Sequence, residues 1–388
     1  MKPHIIHITA SLGIGGVEKV LLDILQQADV ESFRVSVVVL SDNVEMLKRY
    51  TLSPQIDIHT LAYEFDKQYN LLSYLKASFL PSHTRKRAEE FLRLIKELKP
   101  DILHFHTLPR ELMLGILAKK EIPTLELLCT DHLVRLAKDE YSPITRRLLG
   151  FAFANLCKRF HLAAVSKSVL QIMEEFGYQG KNKIVKLIEN QIDIQKYNPD
   201  ETKKSDIPTV VYVARLSAVK GHLDLLHAWK KVKYSAKKRL RLIGPADPDV
   251  AEQVQMFLTQ NGQIEDIEVL GSRSDVIELL AQAHIAVFPS YKEGLPMALL
   301  EKMAMQLPVI CSDIPELTDI IQHEYNGLVY PLGNTDELAA CIDRLLQNPQ
   351  ECKRLGENAR QTVIKRFGRA SLASLYEDFY KEILLNSC

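Results

Sequence analysis

The sequence lacks a net charge and any long apolar run. Its 388 residues include 49 Lys and Arg and 49 Asp and Glu, so no global basic field exists to hold nucleic acid. No uncharged stretch of about 18 apolar residues occurs, which argues against a membrane-spanning helix. The first apolar stretch is short and soon meets glycines, so we expect no secretory signal.

Cysteine is also scarce. The six cysteines are scattered without a zinc-binding spacing or a Cys-x-x-Cys motif, a usage that fits a reducing compartment and predicts a cytoplasmic protein. Hydrophobic residues make up 46% of the chain and charged residues 25%, which is ordinary for a globular protein and excludes a disordered one. A length of 388 residues suits two domains of about 150 residues or more each.

Strand-like and helix-like segments alternate along nearly the whole chain. Arg34–Leu40 and Thr209–Val213 are apolar and β-branched, as buried strands are, while Val17–Gln27 has apolar residues at helical spacing. This alternation predicts two doubly wound, Rossmann-like α/β domains with parallel sheets. The polar stretch 198–206 interrupts the pattern. The predicted divisions are a first domain over 1–190, a linker over 191–207, a second domain over 208–369 and an amphipathic final helix over 370–388.

A glycine-rich loop follows the first predicted strand and opens a helix. It reads Gly13-Ile14-Gly15-Gly16-Val17-Glu18. Glycines allow close backbone approach, and a helix N-terminus offers free N–H groups to a phosphate. The loop is not the dinucleotide fingerprint, because Glu18 stands where the third glycine would be. A tight strand-to-helix turn without a ligand is the alternative.

Two cations flank the corresponding loop of the second half. Arg215 lies just past a predicted strand, and Lys220 lies just before the next helix. Two positive charges beside a helix N-terminus suit a diphosphate. The alternative is a pair of solvated surface charges.

Two carboxylates lie in a third loop and the helix after it. Glu293 follows a predicted strand, Gly294 frees the turn, Pro296 suits a first helical position, and Glu301 lies further into the helix. Carboxylates accept hydrogen bonds from neighbouring hydroxyls, as on a ribose or a hexose. Surface glutamates on an ordinary helix are the alternative.

Together these motifs resemble the retaining glycosyltransferases of family 4, which have the GT-B fold. The resemblance rests on Arg-Leu-x3-Lys-Gly at 215–221 and on Pro-Ser-x2-Glu-Gly-x-Pro-x4-Glu-x-Met-Ala-x3-Pro-Val at 289–309. It covers essentially the whole chain, since further segments match in order: Gly15–Glu18, His104–Thr107, Thr130–His132 and Asn190–Asp193.

The resemblance implies an N-terminal acceptor domain and a C-terminal nucleotide-sugar domain facing a cleft, with the final helix packed back on the first domain. By position, Glu301 would hold the ribose hydroxyls and Glu293 would face the donor sugar. The residues that we predict for catalysis are His132, Glu293, Arg215 and Lys220. Those that we predict for donor binding are Gly15, Gly16, Arg215, Lys220, Gly294, Leu295 and Glu301.

The resemblance also assigns roles to the remaining groups. Arg215 and Lys220 would neutralise the diphosphate, Gly16 would approach it from the first domain, and His132 would lie at the reacting centre. His104 and His106 rank below His132, because one of them could be a satisfied core histidine. Three positions depart from the family pattern: Gln191 and Gln306 replace glycines, and Lys302 replaces a small alanine. The family's glycine at 306 belongs to a tight turn, which Gln306 would have to form here.

No metal and no cofactor are expected. Arg215 and Lys220 supply two positive charges for a diphosphate, and the one Asp-x-Asp, at 247–249, follows a different strand from both glutamates. We expect that loop to be a solvated turn that does not reach the same phosphates.

The implied activity is retaining transfer of a sugar from a UDP-sugar or GDP-sugar to a hydroxyl of a glycan or glycolipid, in surface-polysaccharide biosynthesis. Two alternatives stay open: a nucleotide-sugar 2-epimerase of the same fold, and a non-catalytic carbohydrate-binding protein. The basic and apolar stretches 67–99 and 146–159 predict peripheral contact with an anionic membrane on its cytoplasmic face. Core-facing helices with solvated ends are the alternative for both stretches.

Overall fold

The structure is a computed structural model. It describes residues 2–13, 15–61, 82–106, 111–132, 142–199, 204–261, 265–368 and 371–387, with the backbone alone for 82–87. The chain divides into two compact units. Unit 1 consists of Met1–Asn190 together with Ala370–Cys388, and unit 2 consists of Gln191–Arg369.

Unit 1 contains, in its described part, a seven-stranded parallel sheet in the order β3-β2-β1-β4-β5-β6-β7. Its strands are β1 (His4–Thr9), β2 (Arg34–Val39), β3 (Asp57–Thr60), β4 (Ile102–Phe105), β5 (Glu126–Asp131), β6 (His161–Ala164) and β7 (Val185–Leu187). Its helices before residue 190 are α1 (Gly16–Gln26), α2 (Ser82–Leu98), α3 (Leu112–Glu121), α4 (Pro143–Cys157) and α5 (Lys167–Glu175). Every residue of β1 and β4 is buried, as in strands covered on both faces.

Unit 2 repeats this architecture with six parallel strands in the order β10-β9-β8-β11-β12-β13, counted over the described residues. The strands are β8 (Thr209–Val213), β9 (Arg239–Ile243), β10 (Ile267–Gly271), β11 (Ile285–Phe288), β12 (Val309–Ser312) and β13 (Gly327–Tyr330). The helices are α6 (His222–Lys231), α7 (Pro248–Gln260), α8 (Val276–Gln282), α9 (Met297–Ala304), α10 (Pro315–Thr318), α11 (Thr335–Gln347) and α12 (Pro349–Phe367). Two parallel, doubly wound sheets confirm the predicted fold class.

The C-terminal helix α13 (Leu372–Asn386) belongs to unit 1. Tyr376 and Tyr380 are buried on its inner face, where their hydroxyls contact Thr130 and His104 respectively. The backbone N–H of Asp29 donates to the carboxylate of Glu377. The chain therefore ends in the unit in which it begins.

Residues from 191 onward pack within unit 2. Ile192 is buried, and its N–H donates to the carbonyl of Phe367 at 2.8 Å. Tyr197 is also buried. The first part of the segment 191–207, which the sequence indicates as a linker, thus contributes side chains to the second unit.

Each sheet has a point where the strand order reverses. In unit 1 this point lies between β1 and β4, and in unit 2 it lies between β8 and β11. Loops that leave the carboxyl ends of two such strands diverge and leave a crevice, which is where doubly wound folds bind ligands. Among the described residues no helix has the length and apolar character needed to cross a membrane.

Candidate functional site

The loop after β8 holds the two cations expected at a diphosphate. Arg215 follows the strand, and a short 3-10 turn, Ala218–Lys220, leads into α6. Gly221 between them has a φ of 66°, a left-handed conformation that favours glycine. A Cβ at Gly221 would stand 2.0 Å from the carbonyl oxygen of Pro289. The glycine therefore lets this loop pack against the end of β11.

Lys220 and Glu293 are brought together by that packing. The Lys220 Nζ lies 2.6 Å from Glu293 Oε1, and the Glu293 side chain is 7% exposed. The Tyr212 hydroxyl donates to the carbonyl of Lys220 at 2.7 Å and lies 3.3 Å from the hydroxyl of Ser290. A nearly buried carboxylate thus stands directly beside the cation assigned to the diphosphate.

Arg215 also has an acidic neighbour. Its Nη1 lies 3.6 Å from Asp247 Oδ1, with both side chains about half exposed. The Asp-x-Asp loop is therefore half-exposed, as expected of a solvated turn, but it lies beside the loop that carries Arg215. The reason is the strand order, since β9 lies next to β8, and the N–H groups of Leu216 and Asp247 donate across the two loops at 2.8 Å each.

Glu301 lies on the second turn of α9 and is 7% exposed. Its Oε1 accepts a hydrogen bond from the Tyr197 hydroxyl at 2.9 Å. Gly294 and Leu295 are buried in the turn that precedes the helix. The helix start and both glutamates therefore belong to one compact segment.

Lys302 is buried in the core of unit 2, with no exposed surface. Its Nζ donates to the carbonyl of Val213 at 3.0 Å and lies 4.4 Å from the ring centroid of Phe288. Burial lowers the pKa of Lys302 to about 7, against the opposing effect of the nearby Glu301 and Glu293 carboxylates. An amine with a lowered pKa thus lies at the end of β8, the strand whose following loop carries Arg215 and Lys220.

The turn after α9 keeps its shape without the usual glycine. Gln306 has a φ of 57°, and Leu307 N–H donates to the carbonyl of Lys302 at 3.1 Å, which closes the helix. A Cβ at Gly356 would stand 2.2 Å from the carbonyl oxygen of Gln306. The tight turn expected in the family therefore forms here at the cost of a strained residue.

The glycine loop of unit 1 opens α1. Gly15 is the N-cap residue with extended backbone, and Gly16 begins the helix. A Cβ at Gly16 would meet no atom within 4 Å in the described part of the chain. Packing inside unit 1 therefore does not require a glycine at this position.

His132 ends a chain of histidines in unit 1. It follows β5, and its Nε2 lies 3.4 Å from His106 Nδ1, while His106 Nε2 lies 3.0 Å from His7 Nδ1. His104, by contrast, contacts the Tyr380 hydroxyl at 2.8 Å and the Thr130 hydroxyl at 2.7 Å. His104 is thus the satisfied core histidine, and His106 is the one that contacts His132.

Burial keeps the inner histidines neutral. It lowers the pKa of His7 to about 3 and the pKa values of His104 and His106 well below their ordinary value. Within the described residues, His7, His104 and His106 form the one group of potential metal ligands close enough to share an ion. Both ring nitrogens of His104 already have hydroxyl partners, so these distances fit a hydrogen-bonded network better than a metal site.

The structure brings most predicted residues together within each unit. Arg215, Lys220, Gly294, Leu295 and Glu293 lie around the ends of β8 and β11, and Glu301 follows on α9. Gly15, Gly16 and His132 lie at the ends of β1 and β5 in unit 1. The partners of these residues, Tyr197 and Asp247 above all, cannot be found from sequence patterns, because they are far apart along the chain.

Two family models match the chain. One, described as Glycosyltransferase Family 4, matches residues 14–196, and the other, described as Glycosyl transferases group 1, matches residues 193–362. The two matches span nearly all of both units. The chain belongs to the family 4 type of GT-B glycosyltransferases.

Named relatives agree with this assignment. The N-acetyl-alpha-D-glucosaminyl L-malate synthase of Bacillus anthracis is 26% identical over 327 residues, which cover 82% of each chain. An N,N'-diacetylbacillosaminyl-diphospho-undecaprenol alpha-1,3-N-acetylgalactosaminyltransferase of Campylobacter jejuni is 27% identical over 250 residues, 61% of this chain and 63% of that protein. This chain is thus a glycosyltransferase enzyme, and the Campylobacter relative is named for a diphospho-undecaprenol substrate.

Solved structures agree on the fold. HepE of Anabaena, crystallised in complex with UDP-glucose, superposes with a TM-score of 0.77 over 98% of this chain and 99% of its own. The two sequences are 20% identical, so the likeness supports the GT-B fold alone.

Proposed function

We propose that the enzyme transfers a hexose from a nucleoside-diphosphate sugar to a hydroxyl of a glycan or glycolipid acceptor, with retention of the anomeric configuration. The observation that carries the donor assignment is the grouping of Arg215, Lys220 and Glu293 at the carboxyl ends of β8 and β11, with Glu301 on the helix that follows β11. A bound UDP-sugar in HepE and the diphospho-undecaprenol named for the Campylobacter relative support the donor and acceptor classes.

Glu301 is proposed to bind the ribose. Its Oε1 accepts a hydrogen bond from the Tyr197 hydroxyl, and a carboxylate accepts several hydrogen bonds at once, as two vicinal ribose hydroxyls would require. The Tyr197 contact fixes the carboxylate before the donor arrives. Orientation of this kind reduces the entropy lost on binding.

Lys220 and Arg215 are proposed to stabilise the diphosphate leaving group, together with the N-terminus of α9. Each cation already faces one carboxylate, Glu293 and Asp247 respectively. The site is therefore closer to neutral than the two cations alone suggest. When Lys220 turns from Glu293 towards the phosphates, its positive charge becomes available to them. Glu293 can then accept hydrogen bonds from hydroxyls of the donor sugar.

His132 is proposed to act at the reacting centre, and Gly15 and Gly16 are proposed to lie near the diphosphate. The open space around a Cβ at Gly16 supports a ligand role, because packing among the described residues of unit 1 does not require a glycine there. We name no protein nucleophile. Attack on the same face as departure of the leaving group retains the configuration without one.

The reaction is proposed to need no divalent metal and to take place in the cytoplasm. Fixed cations and a helix N-terminus can supply the charge stabilisation that a metal supplies in other transferases. Asp247, the nearest acid of the Asp-x-Asp, is already paired with Arg215.

A thermal-shift screen of nucleoside diphosphates and nucleotide sugars tests the donor assignment. A ligand at 100 times its dissociation constant adds about 2.7 kcal/mol to the free energy of unfolding. We expect UDP or GDP and the matching nucleotide sugars to stabilise the enzyme, and an acceptor panel then to yield product. Stabilisation by none of them would refute the donor site, and product formed without any acceptor would favour the epimerase.

A further inference from the structure

A buried lysine lies in the core of unit 2, next to the proposed donor residues. The Nζ of Lys302 donates to the carbonyl of Val213, the last residue of β8, at 3.0 Å. The ring centroids of Phe288 and Tyr212 lie 4.4 Å and 5.6 Å from the same nitrogen. Lysine is almost never fully buried unless it is paired. Because a small alanine suffices at this position in the family pattern, the amine of Lys302 calls for an explanation other than packing.

Charged side chains act on this amine from three neighbouring segments. The carboxylates of Glu301 on α9 and of Glu293 after β11 favour the protonated amine, whereas Lys220 after β8 disfavours it. Burial outweighs the two carboxylates and lowers the pKa of Lys302 to about 7. The amine is therefore balanced between its neutral and charged forms at neutral pH.

Two other buried titratable side chains adjoin Lys302, and both stay neutral. Burial lowers the pKa of His222 at the start of α6 to about 3 and raises the pKa of Tyr212 well above its ordinary value. Their rings lie 4.6 Å apart, centroid to centroid. Of these three buried side chains, Lys302 is thus the one that can gain or lose a proton near pH 7.

Binding of a nucleoside diphosphate would change the charges around the amine in one direction. Glu293 is nearly buried, and its ion-pair partner is Lys220. When Lys220 turns towards the phosphates, Glu293 loses that partner, and a buried carboxylate without a counter-charge is costly. The phosphates also bring negative charge to the same end of the sheet. Each of these changes favours a positive charge on Lys302.

We propose that Lys302 is a positioning residue of the donor site, which takes up a proton from solvent when a nucleoside diphosphate binds and replaces Lys220 as the counter-charge of Glu293. The carbonyl of Val213 holds the amine in place for this role, at the strand end from which the loop of Lys220 departs. This role rests on the proposed function, because it requires a diphosphate that draws Lys220 away from Glu293.

Calorimetric titration of UDP and GDP at pH 8, in two buffers of different ionisation enthalpy, counts the protons taken up per diphosphate bound. If binding raises the pKa of Lys302 by one to two units from about 7, the parent protein should take up roughly 0.4–0.8 proton more than Lys302→Met. Between pH 7 and pH 9 the affinity of the parent should also fall about fivefold more than that of the variant. The titration of the diphosphate itself is common to both proteins.

Met303→Leu is the matched control, since Met303 is the buried neighbour of Lys302 on α9 and the change keeps the lysine. This control should take up as many protons as the parent. A parent protein that binds a diphosphate at pH 8 without taking up a proton would overturn the role of Lys302 alone. Equal uptake by Lys302→Met, or an uptake that Met303→Leu also abolishes, would overturn it too. Binding of neither diphosphate would instead refute the donor site, and the role of Lys302 with it.

Discussion

Replacing Lys302 with methionine should remove a pH dependence from the stability of the protein. Lys302 is fully buried, and its pKa is lowered to about 7 in the folded protein, against about 10.4 for a lysine in the unfolded chain. Methionine has a similar length and no charge, so it fills the same space without the ionisable group.

The direction of this change in stability with pH follows from which state, folded or unfolded, binds the Lys302 proton. Below pH 7 both states hold the proton, and the folded state bears the full cost of a buried charge. Between pH 7 and about 10.4 the folded state has released the proton while the unfolded state still binds it, so stability rises with pH by about 1.4 kcal/mol per unit. From pH 7 to pH 9 the parent protein should therefore gain roughly 2–3 kcal/mol relative to Lys302→Met.

Urea unfolding at several pH values measures this difference. All other titrating groups are common to both proteins, so the difference between the two curves isolates Lys302. Lys353→Met, at a lysine whose side chain is 76% exposed, is the control and should follow the parent curve. Parallel curves for the parent protein and Lys302→Met would refute the reasoning that burial displaces this titration.

Three further results are expected. Gln306→Gly should raise the free energy of unfolding by up to about 1 kcal/mol in urea, because glycine adopts a φ of 57° without steric cost; a decrease would show that this turn is unstrained. Steady-state transfer should survive EDTA, whereas Lys220→Ala should lose most of it; full loss in EDTA restored by Mg²⁺ would assign charge stabilisation to a metal. His132→Asn should lower kcat with little change in UDP affinity, and a variant with parental turnover would exclude His132 from the mechanism.

The fold could be predicted because apolar strand and helix spacings alternate strongly. The glycine loop, the loop of Arg215 and Lys220 and the segment of Glu293 and Glu301 were each recognisable from residues close in sequence. Their position at the carboxyl ends of strands follows from the fold class.

The contacts within the site could not be predicted, since they join residues distant in sequence. Lys220 meets Glu293, and Arg215 meets Asp247, because β8 lies between β11 and β9 in the sheet. Sequence spacing does not give that strand order. The sequence therefore did not show that Glu293 and Asp247 offset the positive charges of Lys220 and Arg215.

Apolar spacing also does not tell a buried helix face from an exposed one. The stretch 146–159 packs one face on the core through Leu149, Ala154 and Cys157, while Leu148 and Phe151 on the other face are exposed. Much of the other basic stretch, 67–99, lies outside the described residues. The predicted lipid contact of both stretches stays a prediction.

A nucleoside diphosphate bound through Glu301 is the central feature of the proposed donor site. Calorimetric titration of UDP and GDP into the parent protein, Glu301→Gln and the exposed-site control Glu252→Gln tests this. We predict that one diphosphate binds the parent and the control alike and binds Glu301→Gln about ten- to a hundredfold more weakly, as expected for loss of charged hydrogen bonds. Equal affinity for Glu301→Gln and the parent protein, or no binding of either diphosphate, would contradict the assignment.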